Sequence, residues 1–406
     1  MAERRRVLML AYFFPPLGGA GVQRTLKFVK YLPEYGWDPM VVTVGRTPYP
    51  ARDTALLAEV PSGVRVLRAP ELPVTPYMAM ALTKLGQDRA RPLVSWPDLS
   101  QGWLPAALAL ALREIRRSRP DVLYTTSAPY SAHLAGLALH RLTGVPWVAD
   151  FRDEWAANPQ LRSIPSWLQR LSRRCERAVA ARARVVVVDD YFEITGTNDR
   201  VTIPNGVDAD DLEGLQSARS HGERFRLTHV GTLYGDQDCA PVLMALRRLV
   251  QDGRLDPDRL ELRVVGNVFL PDGALDLPID VTFSGYVSHR DALAEMRRAT
   301  ALLLYVAAAS RAPSGKLYEY LSSERPILCV ARTDNLAHKL VAEWGAGACA
   351  PPDDSAAVER ALLDLYQRWQ NRRLDEVSGT RERTLERFSR RALAGRLAGV
   401  LDDAAG

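Results

Sequence analysis

"YFFPPLGGAGVQRTLKFVKYL", residues Tyr12–Leu32, follows directly on the apolar run Val7–Ala11. Three glycines (Gly18, Gly19, Gly21) and two prolines separate a strand-like stretch from a helix-like one. A buried strand, a glycine turn and a helix opening at Val22-Gln23-Arg24 begin a doubly wound α/β fold. Glycine lets backbone amides approach a ligand closely, and the start of a helix favours an anion. A diphosphate suits such a loop, and so does a tight turn with no ligand. Two familiar phosphate signatures do not fit. A GxGxxG run begun at Gly19 meets Arg24 at its third glycine, and the P-loop lysine is absent.

The alternation continues downstream. Strands are predicted at Val7–Tyr12, Met40–Val44, Val64–Arg68, Asp121–Thr125, Trp147–Phe151 and Val185–Asp189. Between them lie helices Val22–Tyr35, Leu104–Arg117, Ser131–Leu142 and Ser166–Ala183. The pattern restarts with strands Phe225–Val230, Leu260–Val265, Val281–Ser284, Ala301–Val306 and Ile327–Val330. Their helices are Pro241–Gln251, Arg290–Ala299, Ser314–Ser322, Asn335–Trp344 and Ser355–Gln370, and Thr380–Asp402 is helical by composition. Short apolar runs separated by helical periods signify parallel strands with crossover helices. The expected division is a first Rossmann-like domain over 1–202, a linker over 203–222, a second domain over 223–379 and a terminal helix over 380–406. Ligands of such folds lie at the carboxyl ends of the strands, and a cleft facing both domains is the natural site.

At 406 residues the chain exceeds the ~250–300 at which one core stops growing. A net charge of +5 is a mild excess, without the concentrated block of a nucleic-acid binder. Only five of the 53 basic residues are lysines, so a lysine inside a motif is noticeable. No secretory signal is read at the start, and no run approaches the ~18–20 apolar residues of a membrane span, so a cytoplasmic protein is expected. Cys175, Cys239, Cys329 and Cys349 sit in or beside apolar runs, as reduced structural cysteines do. The six histidines form no metal-ligating cluster. Asp256-Pro257-Asp258 is formally DxD but occupies a turn, so neither a metal nor a cofactor is expected.

Two further stretches carry chemistry. In "APSGKLYEYL" (312–321), Ser314 reads as the cap of a helix whose first amides, at Gly315 and Lys316, favour an anion. Lys316 adds a positive charge, and Glu319 follows on about the same helical face, where it can accept from two ribose hydroxyls. A capping serine, a solvated lysine and a surface glutamate are the plain alternative. "ADFRDEW" (149–155) ends a buried strand, so Arg152, Asp153, Glu154 and Trp155 are expected to reach the cleft; an Arg–Asp structural pair is the alternative. His133 either lines the acceptor side or packs.

These stretches, together with "IPNGVD" (203–208) and "HVGTLY" (229–234), resemble the family 4 retaining glycosyltransferases. The resemblance implies GT-B architecture, two Rossmann-like domains with a C-terminal helix crossing back to the first. It implies transfer of a sugar from a nucleoside diphosphate to an acceptor hydroxyl with retention and without metal, in envelope, exopolysaccharide or glycoconjugate biosynthesis. The donor side then comprises Gly18, Gly19, Gly21, Gly231, Thr232, Ser314, Gly315, Lys316 and Glu319. Tyr286 and Val287 of "GYVSH" (285–289) match the family's base-binding loop. His133, Asp153 and Glu154 fall to the acceptor side, and Glu319, Lys316 and Arg152 to catalysis. Three positions depart from the pattern. Arg311 stands where many relatives carry a carboxylate, Arg152 where many carry histidine, and no basic pair follows Gly231. A non-catalytic nucleotide-sugar binder and a GT-B-fold epimerase are the other readings; the broken GxGxxG argues against an NAD(P) oxidoreductase. Ser166–Arg184, with Trp167, Leu168 and Leu171 among arginines, offers either a solvated face or a peripheral contact with an anionic membrane, bringing a lipid-linked acceptor near.

Overall fold

Strand after strand is apolar on both faces, as in a parallel sheet covered by helices. The computed structural model describes residues 4–72, 74–86, 91–158, 164–215, 222–234, 239–308, 310, 313–374 and 377–406. They form two units, one of Met1–Pro204 with Arg390–Gly406 and one of Asn205–Ser389.

The first unit holds strands β1 (Arg5–Leu10), β2 (Trp37–Val44), β3 (Arg65–Ala69), β4 (Val122–Ser127), β5 (Trp147–Phe151), β6 (Arg184–Val187) and β7 (Arg200–Thr202). Every neighbouring pair is parallel, in the order β3-β2-β1-β4-β5-β6-β7. Helices α1 (Ala20–Tyr31), α2 (Val74–Lys84), α3 (Arg91–Ser95), α4 (Leu104–Ser118), α5 (Ser131–Thr143) and α6 (Ser166–Ala180) connect them. Helix α1 stops short of the predicted Tyr35 because Pro33 cannot donate a helical hydrogen bond; Leu32–Tyr35 tighten into a 3-10 turn instead.

Arg24 does not lie on the surface of α1. Its guanidinium is buried and makes a two-pronged ion pair with Asp150 at the end of β5, with both N–H···O distances 2.8 Å. A third bond runs to the Pro204 carbonyl, at 2.9 Å. Asp150 also accepts from the hydroxyls of Tyr124 and Thr126 on β4. Burial opposes both charges, and their mutual attraction overrides it: Asp150 is held below the usual carboxylate range and Arg24 above its own.

The second unit holds α7 (Ala209–Leu212), β8 (Phe225–Val230), β9 (Leu233–Tyr234), α8 (Ala240–Gln251), β10 (Leu260–Val265), β11 (Val268–Phe269) and β12 (Asp280–Phe283). It continues with α9 (His289–Arg298), β13 (Ala301–Tyr305), α10 (Lys316–Ser322), β14 (Ile327–Val330), α11 (Leu336–Glu343), β15 (Gly347–Ala350), α12 (Ser355–Gln370) and α13 (Thr380–Phe388). Its six-stranded parallel sheet runs β12-β10-β8-β13-β14-β15, the same winding as the first. Two apolar clusters are packed in it, one around Leu246, Leu262 and Leu362, the other around Leu302, Leu317 and Leu340.

Thr380–Asp402 is two helices rather than one. Ser389 is extended, and beyond it α14 (Arg390–Ala405) packs in the first unit, where Tyr35 donates to the Arg391 carbonyl and Trp37 Nε1 to Asp402. Asp256 caps the turn Pro257–Arg259 by accepting from the Asp258 amide, which accounts for that DxD. None of the four cysteines forms a disulfide.

Arg24→Ala should cost about 3–5 kcal/mol, because it leaves Asp150 charged and buried without its partner. A urea denaturation curve measures it; a loss within about 0.5 kcal/mol, the range of an ordinary surface change, would mean the pair is not a keystone.

Candidate functional site

In an open parallel sheet the crevice for ligands lies where the strand order reverses, outside the carboxyl ends. In the second unit that point separates β8 from β13. These strands pair only at Ala301↔Leu227 and Leu302↔Thr228, whereas β8 and β10 stay paired through Val230. From His229 onward β8 parts from β13, and side chains take over the hydrogen bonding. His229 Nδ1 lies 3.2 Å from the Leu303 carbonyl. A carbonyl only accepts, so Nδ1 carries the proton and Nε2 is left as an acceptor. The freed Val230 amide donates to the Tyr320 hydroxyl of α10, at 2.9 Å.

Lys316 enters this opening from the start of α10. Its ammonium donates to His229 Nε2 at 3.1 Å. Its stem crosses Gly231, where a Cβ would stand 2.4 Å from Lys316 Cε and 2.5 Å from Nζ. Gly231 has φ 129, and its carbonyl presses on Gly266, where a Cβ would come within 2.5 Å of that oxygen. Loss of water pushes Lys316 down to about 8, partly opposed by Cys239 and Glu319. Burial, with Lys316 adding to it, holds His229 neutral and far below the usual imidazole range.

The other second-unit candidates surround this pair. Helix α10 begins at Lys316, one residue beyond Gly315, and not at a serine cap. The Ser314 hydroxyl accepts from the Lys316 amide at 3.4 Å, so that amide is not free as the sequence suggested. Glu319 lies on the first turn of α10, 3.9 Å from His289 Nε2, which also faces Asp211 at 3.4 Å. Gly285 pairs with Gly266 in an antiparallel bridge. Thr232 is half-buried, Tyr286 is exposed and Val287 packs on the core. Arg311 lies outside the described residues.

In the first unit the corresponding point lies between β1 and β4. Gly19 caps α1 with φ 90, and neither a side-chain cap nor an acidic residue occupies the first turn. Helices leave their first amides without an acceptor in the preceding turn; here the Val22 amide turns back to the Gly19 carbonyl at 3.1 Å. Gly18 is different: its amide donates to the Ala51 carbonyl at 3.0 Å. Arg152 corrects the expectation of a sugar-orienting cation. Its guanidinium donates to the carbonyls of Ser127 (2.6 Å), Gly21 (2.6 Å) and Ala128 (2.8 Å), tying the first turn of α1 to the end of β4 and the residue after it.

His133 and Trp155 are corrections too. Both are fully buried. The His133 ring sits 4.3 Å from that of Phe151, with Nδ1 on the Thr125 hydroxyl at 2.8 Å. Burial pushes it down to about 3, so it is a neutral packed histidine and not an acceptor-side group. Trp155 stacks on Tyr130, its ring 5.2 Å away, and does not reach the edge. Asp153 is exposed, while the Glu154 carboxylate receives the Glu193 amide at 3.3 Å. Sequence reasoning missed His229, Tyr320 and Gly266; the one signal was a histidine two residues before a glycine at the end of an apolar strand.

Gly231→Ala should cost about 1–3 kcal/mol through its backbone strain and the ammonium it displaces. In a Lys316→Ala background the cost should shrink, read by denaturation of all four variants. Equal costs in both backgrounds would mean that Lys316 does not lie against Gly231.

Residues 18–193 match the family described as "Glycosyl transferase 4-like domain". No curated protein matches in sequence. Among solved structures the chain is similar to WaaG, "a glycosyltransferase involved in lipopolysaccharide biosynthesis". That match has a TM-score of 0.63 and 15% identity over 97% of this chain and 99% of the other. HepE of Anabaena, solved with UDP and glucose, gives 0.65 and 14% over 98% and 99%. The α,α-trehalose 6-phosphate synthase of Burkholderia multivorans gives 0.65 and 14% over 99% and 97%. Residues 18–193 thus match a glycosyl transferase 4-like domain, and the whole chain carries the fold of these solved structures.

Proposed function

We propose that this protein transfers a hexose or N-acetylhexosamine from a nucleoside diphosphate to an acceptor hydroxyl with retention, in envelope, exopolysaccharide or glycoconjugate synthesis. The observation that carries this is the Lys316 ammonium, placed on Gly231 and His229 at the switch point of the second sheet. A cation poised in a site of reduced polarity stabilises a leaving diphosphate as an oxyanion hole does, and needs no metal to do so. Glu319, three residues on, accepts the ribose or sugar hydroxyls. The base-binding loop is 285–289. In the first unit the start of α1 after Gly19 and the exposed Asp153 serve the acceptor side. A diphosphate oxygen takes the acceptor's proton, so no side-chain base is required. The solved neighbour with UDP and glucose is consistent with such a donor. The exposed arginines of α6 give peripheral contact with an anionic membrane.

A thermal-shift panel of UDP, GDP, ADP, dTDP and NAD tests the donor site. One nucleoside diphosphate at a hundred times its dissociation constant should stabilise the protein by about 2.7 kcal/mol. Lys316→Ala should cost about 1.5–3 kcal/mol of that binding, the usual worth of a charge-assisted hydrogen bond. No shift, or a shift with NAD alone, would overturn the reading. Steady hydrolysis of the matching donor sugar would separate a transferase from a passive binder.

The affinity should also depend on pH. The free Lys316 ammonium, facing His229, Cys239 and Glu319, loses its proton near 8. The diphosphate binds the charged form, so affinity is full below 8 and falls above it, about tenfold between pH 7 and pH 9. A flat profile across that window would remove Lys316 from the diphosphate.

A further inference from the structure

The end of α11 and the outer face of α13 enclose an open cleft that shares no residue with the donor site. Its volume is about 600 Å³, and Glu343, Trp344, Arg383, Glu386 and Arg387 line it. Small-ligand sites are of this size, roughly 300–1,000 Å³. All five residues belong to the second unit.

Local structure places each of them. Helix α11 ends where Gly345 takes φ 62 and the Ala346 amide returns to the Val341 carbonyl at 2.9 Å. This left-handed stop leaves Trp344 at the helix end. The indole is half-buried and packs against the cluster around Leu340. Helix α13 buries Thr380, Thr384 and Phe388. Arg383, Glu386 and Arg387, three and four residues apart, are left together on its exposed side.

The polar groups of the cleft are uncommitted. Among the described residues, Glu343, Arg383, Glu386 and Arg387 form no ion pair and no side-chain hydrogen bond, and the Trp344 indole N–H has no acceptor. Arg387 only leans over the Phe388 ring, at 5.2 Å. Elsewhere on this unit similar spacing closes such pairs: Arg298 meets Glu295 at 3.0 Å, and Arg368 meets Asp364 at 2.8 Å. Arg383 and Glu386 stand three apart and do not meet.

The cleft therefore offers donors and acceptors around an aromatic ring, with its two acids balanced by its two bases. A phosphate or a polyamine would face as many like charges as opposite ones. A neutral polyhydroxyl ligand suits it better. Each hydroxyl both donates and accepts, so carboxylate and guanidinium groups can hold it side by side. An aromatic face covers what is apolar in the ligand.

We propose that this cleft binds a neutral saccharide chain, with the Trp344 indole against the apolar face of one sugar ring and the two glutamates and two arginines on its hydroxyls. Phe388, whose ring lies 6.4 Å from that of Trp344, is 4.8 Å from Tyr318 on α10, the helix that Lys316 opens. A glycan held here stays on the unit that carries the donor site. Binding stands on the cleft itself; retention of a growing acceptor rests on the transferase reading.

The test is titration of the full chain with maltohexaose, cellohexaose and chitohexaose, followed by calorimetry and by tryptophan fluorescence. The wild type should bind at least one of them with a change in fluorescence. Arg383→Ala/Glu386→Ala should weaken that binding on the order of a hundredfold, the loss of two charge-assisted hydrogen bonds. Trp344→Phe keeps an aromatic ring and should bind without the fluorescence change. Both variants should keep the wild-type unfolding midpoint and nucleotide shift, and Lys316→Ala should bind the sugar as the wild type does. Absence of wild-type binding to all three sugars overturns the proposal, as does undiminished binding by Arg383→Ala/Glu386→Ala. Binding lost in Lys316→Ala and kept in the double variant would also overturn it, assigning the sugar to the donor site. If the cleft binds a sugar but no nucleotide shifts the midpoint, the transferase reading fails and the saccharide site stands.

Discussion

The buried pair of Arg24 and Asp150 fixes the frame of the first unit. Two charges leave water, which is favourable only when the geometry is good and the remaining oxygen lone pairs are filled. Here both conditions are met: two parallel N–H···O bonds, and hydroxyls of Tyr124 and Thr126 on the free edge of the carboxylate. Through this one pair α1, β4 and β5 share an anchor, and the Pro204 carbonyl ties in the end of the segment. The position is the third glycine of a dinucleotide fingerprint, where glycine lets the helix lie close on the strand. Arg24 secures the same helix by a different means, with a long side chain sent into the sheet. Arg152 then draws the end of β4 and the first turn of α1 together through their carbonyls.

The two sheets wind alike but spend their cations differently. In the first, β1 and β4 remain paired up to Leu10↔Thr125, and both arginines near the edge are consumed by Asp150 and by backbone oxygens. In the second, the ladder between β8 and β13 ends early, and the gap is filled by an imidazole, a phenol and an ammonium. Removing two backbone pairs exposes a polar edge that folding alone does not need. The neutral His229 holds Lys316 without neutralising it, so the positive charge stays available.

Much of this was legible in the residues. Four strands, Trp147–Phe151, Phe225–Val230, Leu260–Val265 and Ile327–Val330, and the helix Ser355–Gln370 have the bounds their apolar patterns give. Strands β7 and β15 were not: three residues are too few for a period, and Gly347-Ala348-Cys349-Ala350 presents little apolar volume. The first-unit helix α2 escaped because its apolar residues face outward, so no buried stripe marks it. At the site, the glycines and Lys316 carried a local signal, since turn chemistry and helix starts are written in neighbouring residues. His229 did not, because its role depends on Leu303 and Lys316, 74 and 87 residues away. Arg152 and His133 misled for the same reason. A side chain at a strand end can turn to solvent or to the loops beside it, and only tertiary packing decides.

Helix α14 has a consequence for how the molecule is made. Leu393, Leu397 and Leu401 are buried in the first unit, although they follow the whole of the second unit in the chain. On the ribosome the second unit, closed at Ser389, can complete its core while the first still lacks a wall. The first unit is thus begun before the second and finished after it, and in the interval α1 and the 3-10 turn after it present uncovered apolar surface. A nascent chain of this design leaves its first sheet vulnerable until α14 has arrived.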